Sequence, residues 1–135
     1  MKKTAFLLGL ICAFAGSAAF ADVFDSLEGI TPAQKQNLTR ISFNYKQKNN
    51  DLEMRIIEYN NKINQLKQDK DKTPEQIELL SGAYERNLET FKAQQKQLEQ
   101  ETDKLYKANM TEEQYLQYRA LQMNVQDSFN DFLQK

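Results

Sequence analysis

The chain has 135 residues, 40% of them hydrophobic and 27% charged, with a formal net charge of −1, no histidine and one cysteine. Those counts remove the usual general base, the usual nucleophile pairs and the best soft metal ligands. A near-neutral balance also lacks the strongly basic face that nucleic-acid binding wants. Composition therefore points away from an enzyme, and to a chain with no metal, no cofactor and no nucleic-acid partner.

In chain order, residues 1–21 read as a secretory signal peptide. Lys2 and Lys3 form a basic start, 5–20 is an apolar run, and Ala19-Phe20-Ala21 fits an Ala-x-Ala cleavage site. The run is shorter than the ~20 apolar residues of a spanning helix, so no stable membrane insertion is expected. Cys12 follows Ile11, where a lipoprotein needs a small residue. Cleavage after Ala21 leaves 22–135 as one domain of 114 residues, with 16 basic and 19 acidic side chains and no cysteine.

Val23, Phe24 and Leu27 predict a short amphipathic turn. After it the phrase Thr-x-x-Gln occurs three times, at Thr31/Gln34, Thr73/Gln76 and Thr111/Gln114. Each is a capping box, in which the Thr hydroxyl and the Gln side chain satisfy each other's backbone N–H groups at a helix start. The only two prolines, Pro32 and Pro74, directly follow a box threonine, at the first helical position where a missing N–H costs nothing. Helices are predicted over about 32–70, 74–108 and 112–133.

The apolar spacing supports this. Leu38, Tyr45, Leu52, Tyr59 and Leu66 are seven apart, as are Ile77, Tyr84, Phe91, Leu98 and Leu105. Each series returns to one face every two turns, a coiled-coil-like seam. The polar link 68–72 is short, which implies antiparallel neighbours. The expected fold is all-α: a long antiparallel helical hairpin, with Leu38 near Leu105 at its open end, plus a third C-terminal helix carrying Tyr118, Leu121, Val125, Phe129 and Phe132. So small a domain leaves part of such stripes uncovered, and a homodimer is expected.

Charge is uneven. Thr31–Lys72 carries nine basic and five acidic residues, while the other stretches of 22–135 are net acidic. Lys48, Arg55 and Lys62 are again seven apart and edge the stripe of Leu52, Ile56, Tyr59 and Ile63. Two readings stay open. Their alkyl stems cover the seam while their charges reach water, which is the commoner arrangement, or they form the basic rim of an amphiphilic binding surface. Phe43 lies off the main stripe and is the best candidate for an exposed apolar contact. Met54, Met110 and Met123 are too scattered for a soft-cation site.

With Ile30-Thr31-Pro32-Ala33-Gln34 and Met110-Thr111-Glu112-Glu113-Gln114 flanking a predicted hairpin behind a signal peptide, the chain resembles the LTXXQ-motif family of Spy/CpxP-like periplasmic proteins. Ile30 and Met110 stand where the family signature has leucine. The resemblance implies a periplasmic location and a thin, elongated, cradle-like antiparallel dimer. It also implies an ATP-independent chaperone that binds unfolded or partly folded client proteins, for which Phe43, Lys48, Leu52, Arg55, Ile56, Tyr59, Lys62 and Ile63 are the candidate contacts. The alternative it implies is a regulatory protein that docks on the periplasmic domain of an envelope-stress sensor kinase.

Overall fold

The computed structural model describes residues 23–134, apart from the side chains of Val125 and Phe129. The signal peptide with its cleavage site, and the seam roles of Val125 and Phe129, lie outside what is described. The described residues are predominantly helical, with α1 at Pro32–Lys67, α2 at Pro74–Ala108 and α3 at Glu112–Gln134. A helical turn at 23–25 precedes them, and no strand occurs among the described residues. None of these helices is long and apolar enough to cross a membrane.

All three helices start in a reciprocal capping box. The N–H of Thr31, Thr73 and Thr111 donates to Oε1 of Gln34, Gln76 and Gln114 at 2.9–3.0 Å, and each Gln N–H donates back to its Thr Oγ1 at 3.1–3.2 Å. α1 ends at Lys67, before the expected boundary at 70. The N–H groups of Gln68 and Asp69 turn to the carbonyls of Gln65 and Leu66, closing the tighter i→i−3 turn that often ends a helix. Asp69 then holds the link, accepting from the Lys72 ammonium at 2.6 Å and the Asp71 N–H at 2.9 Å. The Lys72 bond and then the Asp71 bond lower its pKa.

Burial along the helices departs from the heptad reading. Leu38, Ile63 and Leu66 are buried in α1, but Tyr45, Leu52 and Tyr59 are half-buried, and Ser42 and Asn49 are buried in their stead. In α2 the buried residues are Ser81, Leu88, Thr102 and Tyr106, and Leu105 is 51% exposed. Leu105 is therefore not the seam partner of Leu38; Tyr106 takes that place in the core cluster around Leu38. A strict seven-residue repeat drifts about 20° per heptad on a straight helix. Over the four heptads from Ile77 to Leu105 that is about 80°, enough to leave the packed face. Ile77, Leu88 and Tyr106 fall within about 20° of one another at 3.6 residues per turn.

The described residues form two compact units, one made of those up to Lys46 together with those from Glu101 on, the other of Gln47–Gln100. The core of the first is built on Phe24, Leu27, Leu38, Tyr106 and Tyr118, with Val23, Ile30, Ile41, Met110 and Leu121 packed against it. The predicted turn at Val23, Phe24 and Leu27 thus supplies two of its five central residues. The chain leaves that turn through Gly29, whose φ of 71° is left-handed and open to glycine at little cost. The rings of Phe24, Tyr106 and Tyr118 lie 5.2–5.9 Å apart in mutually tilted or stacked pairs. Such pairs add about 0.5–1.5 kcal/mol each beyond their buried area.

Two of the three capping boxes meet in this unit. Gln34 Nε2 donates to Gln114 Oε1 at 3.0 Å and to the Asn109 carbonyl at 3.3 Å, while Gln114 Nε2 donates to the Glu28 carbonyl at 3.1 Å. The Glu28 N–H in turn donates to Gln117 Oε1 at 3.1 Å. Gln114 is buried, whereas Thr73 and Gln76 of the middle box are both exposed. The first and last boxes therefore join segments about eighty positions apart, and the middle one caps its own helix only.

Candidate functional site

In the second unit, Gln47–Gln100, α1 and α2 present aromatic rings to each other. Tyr59 sits edge-on to Tyr84 at 5.7 Å and to Phe91 at 5.4 Å between centroids. All three rings are half-buried, so part of each still faces solvent. Two cations stand over this cluster: the Arg55 guanidinium 5.8 Å from the Phe91 centroid, and the Lys62 ammonium 4.6 Å from that of Tyr59. Lys62 also pairs with Glu58, one turn back, at 3.1 Å, and that hydrogen bond raises its pKa and keeps it charged.

These positions follow from local sequence. Arg55, Tyr59 and Lys62 are spaced by four and three, so one side of α1 carries cation, ring and cation in succession. Tyr84 and Phe91 are two turns apart on α2 and flank the same ring. Long basic side chains at the margin of a packed aromatic stripe lay their stems on it and turn their charges outward. The result is a surface with apolar ring faces at its floor and two positive charges at its edge.

Of the candidate contacts, the structure groups Arg55, Tyr59 and Lys62 directly. Lys48 is exposed on the same helix, and Leu52 and Ile56 are half-buried. Ile63 is buried in the packing layer, so its side chain is not offered to a ligand. Phe43 is 57% exposed and belongs to the other unit. Among the described residues no group of three or more Asp, Glu, His or Cys is gathered to hold a metal.

Sequence reasoning put Tyr84 and Phe91 on a seam without connecting them to Arg55 and Lys62. The usable signal was the short polar link 68–72, from which an antiparallel pairing of 84–91 with 55–62 is expected. It also missed the polar layer beside the rings. Asn49, 1% exposed, accepts from Gln95 Nε2 at 3.2 Å through its Oδ1 and donates from its Nδ2 to Glu53 Oε1 at 3.1 Å. Asn49 is seven positions before Ile56, so the heptad clue was present but masked by its polarity. Glu99 is a further unheralded feature: half-buried, its carboxyl is pushed up in pKa by burial.

In comparisons with known proteins, no family model matches the chain, and no curated protein or solved structure matches it significantly.

Proposed function

We propose that this protein is an ATP-independent chaperone of the bacterial periplasm, of the LTXXQ, Spy/CpxP-like kind, which holds unfolded or partly folded clients on an amphiphilic helical surface. The observation that carries this reading is the cluster of Tyr59, Tyr84 and Phe91 beneath Arg55 and Lys62. Half-exposed rings give adaptable apolar contact, and cations on long side chains attract acidic segments without demanding one shape. Sequence-tolerant capture needs that combination rather than a closed pocket. Lys48 and the half-buried Leu52 and Ile56 extend the surface along α1.

The family reading is supported by the hydrogen bonds between Gln34 and Gln114. They distinguish the two boxes that follow Ile30 and Met110 from the middle one, which follows Lys72 and stands alone. An antiparallel hairpin of α1 and α2 is supported in one unit by the Asn49–Gln95 and Tyr59–Tyr84 contacts, and in the other by Leu38 with Tyr106. The working form is a homodimer.

The deciding experiment is suppression of aggregation. The purified protein should keep an unrelated, chemically denatured client in solution at near-stoichiometric amounts without nucleotide. Unchanged light scattering at several-fold excess of this protein would overturn the reading.

A further inference from the structure

The turn ahead of α1 is held by the first unit as a peptide is held by a receptor. Its helical part, 23–25, is too short to persist alone. Phe24 and Leu27 are buried in a cluster with Leu38 of α1, Tyr106 of α2 and Tyr118 of α3. The Phe24 ring lies 5.9 Å from the centroid of each tyrosine ring.

The polar contacts fall mainly on the backbone. Glu28 donates its N–H to Gln117 Oε1 at 3.1 Å and accepts at its carbonyl from Gln114 Nε2 at 3.1 Å. Two glutamines on neighbouring positions of one α3 face therefore hold both main-chain groups of a single residue, whatever its side chain. Gln114 is preset for this, because the Thr111 N–H and Gln34 Nε2 both donate to its Oε1 and fix the direction of its amide nitrogen. Around this grip, Lys35 forms an exposed ion pair with Asp25, and Gln117 Nε2 reaches the Glu28 carboxylate at 3.4 Å. The seat thus reads an aromatic, an acid next to it, an aliphatic three residues after the aromatic, and then one peptide unit.

α1 does not need the turn in order to start. Its cap is the Thr31–Gln34 box, which lies beyond Gly29, so the turn can lift while α1 stays capped. Two buried side chains and hydrogen bonds at the edge of solvent stand against the entropy of ordering the segment. Such segments open locally while the helices beneath stay folded.

We propose that the seat formed by Leu38, Tyr106, Tyr118, Gln114 and Gln117 is a peptide-binding site, occupied in cis by the N-terminal turn and open to an unfolded segment of the same chemistry when the turn lifts. An unfolded chain is the fitting occupant, because free main-chain groups beside exposed apolar side chains are what folding hides. The turn is then a built-in competitor that makes capture reversible. The site is separate from the ring cluster of the second unit. That its ligand comes from a client rests on the chaperone reading, but its capacity to take such a segment does not.

The probe is a fluorescein-labelled peptide with the sequence of 23–30, followed by anisotropy. Wild type is compared with Phe24→Ser, Leu27→Ser, a double variant that empties the seat and leaves its walls intact; circular dichroism checks its helix content. Apparent affinity falls with the fraction of time a site is open, so the double variant should bind at least about tenfold more tightly than wild type. Adding Gln117→Ala to it should weaken binding about tenfold, through the lost main-chain bond. An unrelated peptide with aromatic, acid and aliphatic at the same spacing should bind, and a scrambled one should not. A second measurement needs no variant. Titrating unlabelled peptide into nitrogen-15-labelled wild type should move the amide signals of 24–28 towards random-coil positions while those of the helices persist.

Equal affinity of wild type and double variant, equal binding of the scrambled peptide, or unmoved 24–28 signals at millimolar peptide would each overturn the proposal. Mixed dimers of wild type and variant that the peptide dissolves would give the seat to the turn of a second copy and overturn the client assignment. Light scattering tests the chaperone reading separately. Aggregation suppressed without peptide binding, or peptide bound without suppression, shows which of the two has failed.

Discussion

At the scale of single residues, three copies of one phrase do different work. Replacing Thr31, Thr73 or Thr111 by Ala removes the same cap, and each should cost about 1 kcal/mol in urea unfolding. The glutamines should not behave alike. Gln76 is exposed and answers only to Thr73, but Gln114 is buried and also bonds Gln34 and the Glu28 carbonyl. Gln114→Ala should therefore cost about 1–3 kcal/mol more than Gln76→Ala, because it strands polar groups that water reaches poorly. The caps were legible in sequence because both partners lie three residues apart. The joining of the first and last was not, because nothing local distinguishes Gln34 and Gln114 from Gln76. Glu99 allows a pH test. Burial raises its pKa, so the neutral form is favoured in the folded protein. That contribution is full below the unfolded carboxyl pKa, about 4.3, and is lost as pH rises through the folded value. Glu99→Gln should consequently raise the melting temperature at pH 7, with the gain shrinking as the pH falls towards 4.

At the scale of helices, the boundaries were readable and the buried faces only partly so. Thr-Pro pairs and polar links mark starts and stops through backbone chemistry, which is local. Which residues go inside depends on the true helical period and on the partner helix, and so Asn49, Ser42 and Thr102 were overlooked while Leu105 was placed inside. The Asn49–Gln95 pair can be measured by a double-mutant cycle. Asn49→Leu alone leaves the Gln95 amide without its acceptor and should destabilise by about 1–3 kcal/mol. Changing both to Leu removes the orphan along with the pair and should be near neutral or stabilising. If the single and double variants lose equal stability, the bond contributes nothing beyond the packing of Asn49.

At the scale of the whole molecule, charge and aromatic burial set the response to solution conditions. Tyr106 and Tyr118 are buried, and burial raises both pKa values. Their neutral forms favour the folded state at every pH below the unfolded phenol value, about 10. Above it the unfolded chain releases protons that the folded chain keeps, so stability should fall by up to about 1.4 kcal/mol per pH unit for each tyrosine. Tyr118→Phe should make that alkaline slope shallower by the share Tyr118 contributes. The client surface is tested by changing Lys48, Arg55 and Lys62 together to Gln, which keeps much of each stem and removes the charge. Stopped-flow capture of an acidic unfolded client should slow. It should also lose most of its dependence on salt, because exposed charges are screened beyond about 8 Å at physiological ionic strength. A basic client should show little change. Equal rates for wild type and the triple variant, with either client at low and high salt, would leave these cations as cover for the seam.

Helix content, helix starts and the identity of the three caps were determined by the sequence itself, because each depends on residues within a turn or two of one another. The lack of histidine, and of any cysteine beyond Cys12, is equally a matter of composition alone. Tertiary structure decided the rest. It joined Gln34 to Gln114, exchanged Leu105 for Tyr106 in the core, and withdrew Ile63 into the packing layer. It set Arg55 and Lys62 over the rings of Phe91 and Tyr59, and left Met54 and Ile57 outside. Each of these depends on which side of a helix meets another, and a rotation of a few tens of degrees, below what a repeat of seven specifies, is enough to change it.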